Sequence, residues 1–174
     1  MAVIFFIGAG NTMNDIKDCE IDKTAHPNRP LPSKQVSIEN AKILTWVLWI
    51  ASFSCMGYGA YRLSESGMSW IPLVVIYIAA VLLMLSYDHG PKTKNSGLIG
   101  NVSISLMVGA VILYGSSSVS AIESNLVWWT AGVVFFTNLA REIVKDCQDM
   151  ESDEGIRNTL PMTFGLQNSR MLAY

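Results

Sequence analysis

Charge is scarce in this sequence: Asp, Glu, Lys and Arg make up 15% of its 174 residues, against about 25% in soluble domains. The charges that exist crowd into a few stretches between long apolar runs. A net charge of -2 offers no basic face for a nucleic acid. Cysteine is limited to Cys19, Cys55 and Cys147, an odd set with no CxxC and no metal-ligand spacing. Cys19 and Cys147 each lie inside an acidic stretch, so a reduced, cytosol-facing setting is the simplest reading. The opening MAVIFFIGAG lacks the basic n-region of a signal peptide.

What is abundant is apolar length. Hydrophobic residues reach 51% and the mean hydropathy is +0.34. The runs Ile38–Tyr61, Met68–Tyr87, Leu98–Tyr114 and Ile122–Val144 each approach the ~20 residues of a membrane helix. Met1–Met13 is too short to cross, and a further helical pattern starts at Phe164. The expected fold is all-α, a multi-span transmembrane helical bundle of about four full spans and two partial ones. One domain over residues 1–174 is expected, incomplete at both ends. A soluble protein with buried core helices is disfavoured by so many long apolar runs.

Alternating the spans puts residues 14–42, 88–97 and 141–163 on one face, and 62–67 with 115–121 on the other. Lys17, Lys23, Arg29, Lys34, Lys42, Lys92, Lys94, Arg141, Lys145 and Arg157 fall on the first face, and only Arg62 on the second. That bias predicts a cytoplasmic first face. Trp46, Trp49, Trp70, Trp128 and Trp129 are candidates for interface anchors or for packing between helices.

The predicted cytoplasmic face carries two aspartate clusters. The first reads Asn14-Asp15-Ile-Lys-Asp18-Cys-Glu-Ile-Asp22, an NDxxDxxxD. The second reads Asp146-Cys-Gln-Asp149-Met-Glu-Ser-Asp153, again DxxDxxxD. On a helix this spacing sets three carboxylates on one stripe, where they repel each other. One such run is commonly a solvated helix end. The same spacing occurring twice on one side favours a cation, with the clusters facing each other across a cavity. Mg²⁺ suits them, since it takes one or two carboxylates and fills its other sites with water and phosphate oxygens. Zinc would need a set of thiolates and imidazoles, and calcium an EF-hand-like loop, and the sequence shows neither such a set nor such a loop. Lys23, Arg29, Lys92, Lys94, Arg141 and Lys145 are suited to clamp a diphosphate. Apolar walls beside that site suggest a substrate with a long hydrocarbon tail, an allylic diphosphate ionised where water is excluded.

At these residues the chain resembles the UbiA-type intramembrane prenyltransferases. The family's NDxxDxxxD is matched by Asn14, Asp15, Asp18 and Asp22, and its DxxxD by Asp149 and Asp153. The resemblance implies a bundle of about nine helices and Mg²⁺ held by these residues, with Asp146 added by the repeated spacing. HPNRPLPSKQVS looks like the family's NRPxPSGxxS segment, which makes Arg29 the phosphate-side contact. Lys34 stands where the family has glycine; a lysine serves there unless the turn demands a positive φ. The family's YxxxK is displaced, so Tyr87 is followed by Lys92 or Lys94 as the phosphate contact.

REIVKDCQDMESDEG, TLPMTFG and GLIGNVSISLMVGAVILYG are most similar to the archaeal group that acts on geranylgeranylglyceryl phosphate. The resemblance implies transfer of a geranylgeranyl group from its diphosphate to that lipid-like acceptor, forming an ether bond in archaeal membrane lipid synthesis. An aromatic acceptor, as in quinone biosynthesis, is the alternative within the family. Outside it, a transporter with acidic ion sites would place carboxylates deep within spans, whereas these lie at span ends. A soluble prenyl synthase would have amphipathic helices, and a phosphatidyl-alcohol transferase would carry a D-G-x-x-A-R that is missing here. His26 and His89 read as solvent-facing loop histidines. Asn101 lies in an N-x-S sequon that starts a span on the cytoplasmic side, so glycosylation is not expected. Asn138, about two turns before Asp146, faces the cavity or bonds a neighbouring helix, and the sequence leaves both open.

Overall fold

The first helix runs well past the point where the apolar residues stop. In this computed structural model, which describes residues 1–88, 93, 96–150 and 158–174, α1 spans Ala2–Ala25 without a break. The apolar run ends at Met13, yet the backbone stays helical because no proline or turn signal intervenes before Pro27. His26 closes the helix at φ -140°, as expected of a residue whose α conformation is disfavoured by the following proline ring. The first aspartate cluster is therefore helical throughout rather than part of a loop.

The described helices fall into two compact units, Met1–Arg62 and Leu63–Tyr174. In the first, α1 pairs antiparallel with α2, Ile38–Glu65. Ser37 caps α2 by accepting the Asn40 N–H at 3.1 Å. The buried Ser52 hydroxyl donates to the Ala2 carbonyl at 2.9 Å, and Phe6 meets Trp49 edge-on at 5.4 Å. Trp49 thus packs between helices, while Trp46 is 69% exposed. Ile43, Val47 and Ile50 are exposed on α2 beside Trp46, at the helical spacing of one outward stripe. An apolar outer surface of this kind suits lipid.

Between the helices, residues 26–37 form a run of turns. Arg29 N–H donates to the His26 carbonyl at 3.0 Å, Ser33 N–H to Arg29 at 3.0 Å, and Lys34 N–H to Leu31 at 3.1 Å. Leu31 anchors the segment by packing with Cys19, Ile16 and Ala41. Lys34 has φ 61°, so this turn does demand the left-handed conformation for which glycine is suited.

In the second unit, Gly67 at φ 70° closes α2: its own N–H reaches the Ser64 carbonyl and the Met68 N–H the Leu63 carbonyl. This pair of bonds is a Schellman motif. Helix α3, Ile71–Asp88, carries Pro72 in its first turn, where a missing N–H costs nothing. It packs on α4, Leu98–Ser117, with Tyr77 and Tyr114 ring centroids 6.1 Å apart. On its other side α4 packs on α5, Asn125–Gln148. The buried residues of α4 are Gly100, Asn101, Ser103, Ser105, Gly109 and Ser117, all small or polar. A Cβ on Gly109 would come within 3.2 Å of the Ala131 carbonyl and 3.4 Å of Phe135 Cβ, so glycine permits this close approach. Large apolar side chains such as Leu106, Val133 and Phe136 face outward. That distribution inverts a soluble core.

The four predicted spans correspond to α2, α3, α4 and α5. Helices α2 and α4 are long and apolar enough to cross a bilayer, α3 is apolar but shorter, and α5 turns charged from Arg141 onward. The short helices α6, Leu160–Phe164, and α7, Leu166–Ala173, are separated by Gly165 at φ 87°. Helix α7 packs against α5 and α6. Ser96 bridges to Asn158, and a Cβ on Gly97 would lie 3.3 Å from the Leu160 N. The residues just before α4 and those that open α6 thus lie against each other.

Candidate functional site

Asp15, Asp18 and Asp22 all lie on α1, and their spacing sets them along one stripe of that helix. Asp22 is buried, with 5% of its surface exposed, and Arg29 Nη1 donates to its Oδ2 at 2.6 Å. The seven-residue separation would not join the two on a continuous helix. It is the turn after His26, pinned by Leu31, that returns the guanidinium to Asp22.

Asp15 holds its proton above the ordinary carboxylate range. Partial desolvation is the main cause; the Arg29 charge opposes it, and the Asp22 and Asp18 carboxylates add to it. The repulsion expected of the stripe is thus present, but Arg29 opposes it and burial is what leaves the carboxyl raised. Asn14 sits on the same half of α1. Lys23 donates both to Glu20 Oε1 and to Oε2 at 2.8 Å, which raises its own proton affinity.

The second cluster starts inside α5 and passes its end. Asp146 is in the last turn and Asp149 is the C-cap, at φ -89° and ψ 4°. Asn101 Nδ2 on α4 donates to Asp146 Oδ2 at 2.8 Å. One turn further on, Asn138 Nδ2 donates to Ser105 Oγ at 3.2 Å, which resolves the choice left open for Asn138 in favour of a neighbouring helix. Asp153, Lys92, Lys94 and His89 lie outside the described residues.

Arg141 and Lys145 lie on one face of α5. With Val144, Gln148 and Tyr174 they line an open groove of about 490 Å³, and Arg141 also contacts Glu142 at 2.5 Å. Tyr87 is half-buried at the end of α3. Sequence reasoning did not foresee the contact of Asn101 with Asp146. Its signal was an asparagine at the start of a span, but its partner lies 45 positions away.

The donor set of the first cluster is all oxygen, as a hard cation requires. Among the described residues no three His, Cys, Asp or Glu side chains converge as a ready-made cage. Mg²⁺ fits such an open arrangement, because substrate phosphates and water complete its octahedron.

The UbiA prenyltransferase family model matches residues 1–174. Similar proteins include the digeranylgeranylglyceryl phosphate synthase of Methanococcus aeolicus, 32% identical over 98% of this chain and 56% of the relative's length. That of Methanobrevibacter smithii is 32% identical over 99% of this chain and 59% of its own. That of Methanopyrus kandleri is 34% identical over 90% and 53%. The chain thus spans between half and three-fifths of the length of these curated relatives. No solved structure matches it.

Proposed function

The chain belongs to the UbiA prenyltransferase family, and we propose that its protein transfers a geranylgeranyl group from its diphosphate to geranylgeranylglyceryl phosphate. The observation that carries this reading is the first cluster: three aspartates on one helical stripe, with Asp15 protonating more readily and Arg29 held against Asp22. The relatives' printed name, digeranylgeranylglyceryl phosphate synthase, supports the acceptor.

In the reaction the allylic C–O bond breaks and its electron pair leaves on the diphosphate. The acceptor's hydroxyl oxygen forms the new ether bond and gives up its proton. Asn14, Asp15, Asp18 and Asp22, with Asp146, Asp149 and Asp153, would hold Mg²⁺, which when bound neutralises diphosphate charge. Arg29 binds the anion beside Asp22, and Lys23, Tyr87, Lys92, Lys94, Arg141 and Lys145 supply further positive or hydrogen-bonding contacts. The apolar helices exclude water from the ionised tail. The active-site loops lie on the cytoplasmic face, as the Lys and Arg bias implies.

The test uses the full-length membrane protein with labelled geranylgeranyl diphosphate. Geranylgeranylglyceryl phosphate and hydroxybenzoate are offered in separate reactions. Mg²⁺-dependent transfer to the lipid is expected, and Asp18→Ala or Asp149→Ala should abolish it while the protein still inserts. Full activity in either variant, or turnover without a divalent cation, overturns the mechanism. Transfer to hydroxybenzoate alone overturns the acceptor.

A further inference from the structure

We infer that the groove between α5 and α7 receives the phosphate of the acceptor, with Arg141 and Lys145 as a metal-free clamp apart from the metal-dependent diphosphate site. The inference rests on the geranylgeranyl-transfer reading above and names the residues that select its acceptor. Arg141 and Lys145 stand four residues apart on α5, and Gln148 follows three further on, so the three share one side of the helix. With Val144, Ala173 and Tyr174 they line the groove of about 490 Å³. No carboxylate of the described residues lines it. Asp146 points another way: at about 100° per residue it lies about 100–160° around α5 from that side, and its Oδ2 accepts from Asn101 on α4.

A diphosphate held through Mg²⁺ needs carboxylates for the metal. A groove of cations and hydrogen-bond donors without them suits an anion bound directly. A phosphate monoester carries about two negative charges at neutral pH, which two cations match. Helix α7 has no acidic residue, and its Arg170 adds a third positive charge one turn before Tyr174. Compensation of the helix dipole accounts for Lys145, which lies in the last turn of α5. It does not account for Arg141, which lies about two turns before Gln148 at the helix end, since that effect fades within the last turn. The Arg141 side chain is 68% exposed, and its Nη1 donates to Glu142 Oε1 at 2.5 Å. That bond holds one edge of the guanidinium and leaves its other N–H groups for an anion. Away from the charged end, the same side of α5 carries Thr137, Val133 and Leu126, all exposed. Leu126 lies about 22 Å from Arg141 along the helix. A phosphate clamp at the end of so long a track fits a lipid phosphate and exceeds what a hydroxybenzoate needs.

The test uses the full-length protein in phosphatidylcholine nanodiscs. Labelled geranylgeranylglyceryl phosphate is bound in EDTA and read by scintillation proximity. The wild-type protein is expected to bind it without metal, and Arg141→Gln or Lys145→Gln to weaken that binding about 10–100-fold. In turnover with Mg²⁺ the same variants should raise the acceptor KM by a similar factor and leave the KM for geranylgeranyl diphosphate within about twofold. With geranylgeranylglycerol, which lacks the phosphate, they should leave kcat/KM at the wild-type value. Arg141→Lys keeps the charge and should recover part of the affinity. Lys42→Gln removes an exposed charge from α2 and should change nothing. Phosphatidic acid and inorganic phosphate should compete at least about tenfold less well than the unlabelled acceptor, since neither carries both its tail and its free glycerol hydroxyl.

Unchanged acceptor binding in both glutamine variants overturns the inference. An equal rise in the KM for geranylgeranyl diphosphate assigns the two cations to the diphosphate and overturns it too, as does an equal effect of Lys42→Gln. Equal competition by phosphatidic acid makes the groove a general headgroup site, and equal competition by inorganic phosphate a simple anion site; either outcome removes the acceptor assignment. Failure of the functional reading shows differently, as a wild-type protein that transfers only to hydroxybenzoate, and the acceptor assignment then falls with it.

Discussion

Replacing Lys34 by glycine should stabilise the protein although it removes a side chain. The backbone at Lys34 has φ 61°, and an L-residue held there carries about 1–2 kcal/mol of steric cost. Glycine escapes that cost but gains freedom in the unfolded chain, which takes back about 0.4–1 kcal/mol. The turn bond from the residue 34 N–H to the Leu31 carbonyl, 3.1 Å in the native chain, does not depend on the side chain. Lys34 itself is exposed, so no packing is lost. The balance is a gain of about 0.5–1 kcal/mol, the difference of those two effects. At a slope of about 2–4 °C per kcal/mol for a chain of this size, the melting temperature rises by about 1–4 °C. Thermal unfolding of detergent-solubilised protein by circular dichroism reads it. Lys34→Ala is the control, since it keeps the Cβ and with it the strain. A lower melting temperature for Lys34→Gly, or an equal rise for Lys34→Ala, refutes the reasoning.

Three other outcomes are expected. Gly109→Val would drive a branched side chain into the Ala131 carbonyl 3.2 Å from its Cβ and should cost about 1–3 kcal/mol; a wild-type unfolding midpoint would contradict the close packing of α4 and α5. Gly97→Ala meets both a positive φ of 54° and the Leu160 backbone 3.3 Å away, so it should lose at least about 1 kcal/mol in the same assay. Asp15 binds its proton more tightly folded than unfolded, because its pKa is raised above 3.8. Its contribution to stability therefore falls as pH rises through the window above that value and stays unfavourable at neutral pH. In EDTA, Asp15→Asn should be the more stable protein at pH 7, with the gain shrinking on acidification and gone once the pH is well below 3.8. A gain that persists at low pH would assign it to another cause.

Much of this architecture can be read from residue types, and the parts that cannot share a reason. The spans α2 to α5 announce themselves by apolar length, since hydropathy reports the lipid that a helix meets. It does not report where a helix ends. Helix α1 therefore outruns its apolar run by a dozen residues, and only Pro27 marks the stop. The aspartate stripe follows from local spacing and the helical period. Arg29 was singled out in its turn segment, but its pairing with Asp22 depends on Leu31 packing between Cys19 and Ala41. The lysine at residue 34 carried a conditional reading, and the backbone supplied the condition. Asn101 is the clearest case of illegibility. Its contact with Asp146 is created by a helix that begins at Asn125, and no local pattern encodes the register that delivers Asp146 to it.

The two hydrogen bonds between α4 and α5, Asn101 to Asp146 and Asn138 to Ser105, also bear on how the protein is made. As ribosomes extend the chain, α4 is made before α5, and it would then present the Asn101 amide to lipid before Asp146 exists to accept from it. Only seven residues, 118–124, separate the two helices. Since an unpaired amide in hydrocarbon is costly, α4 is expected to linger at the translocon until α5 arrives and to enter the bilayer with it as a hairpin. Asn138, which donates to Ser105 on α4, would then serve as a docking signal during synthesis.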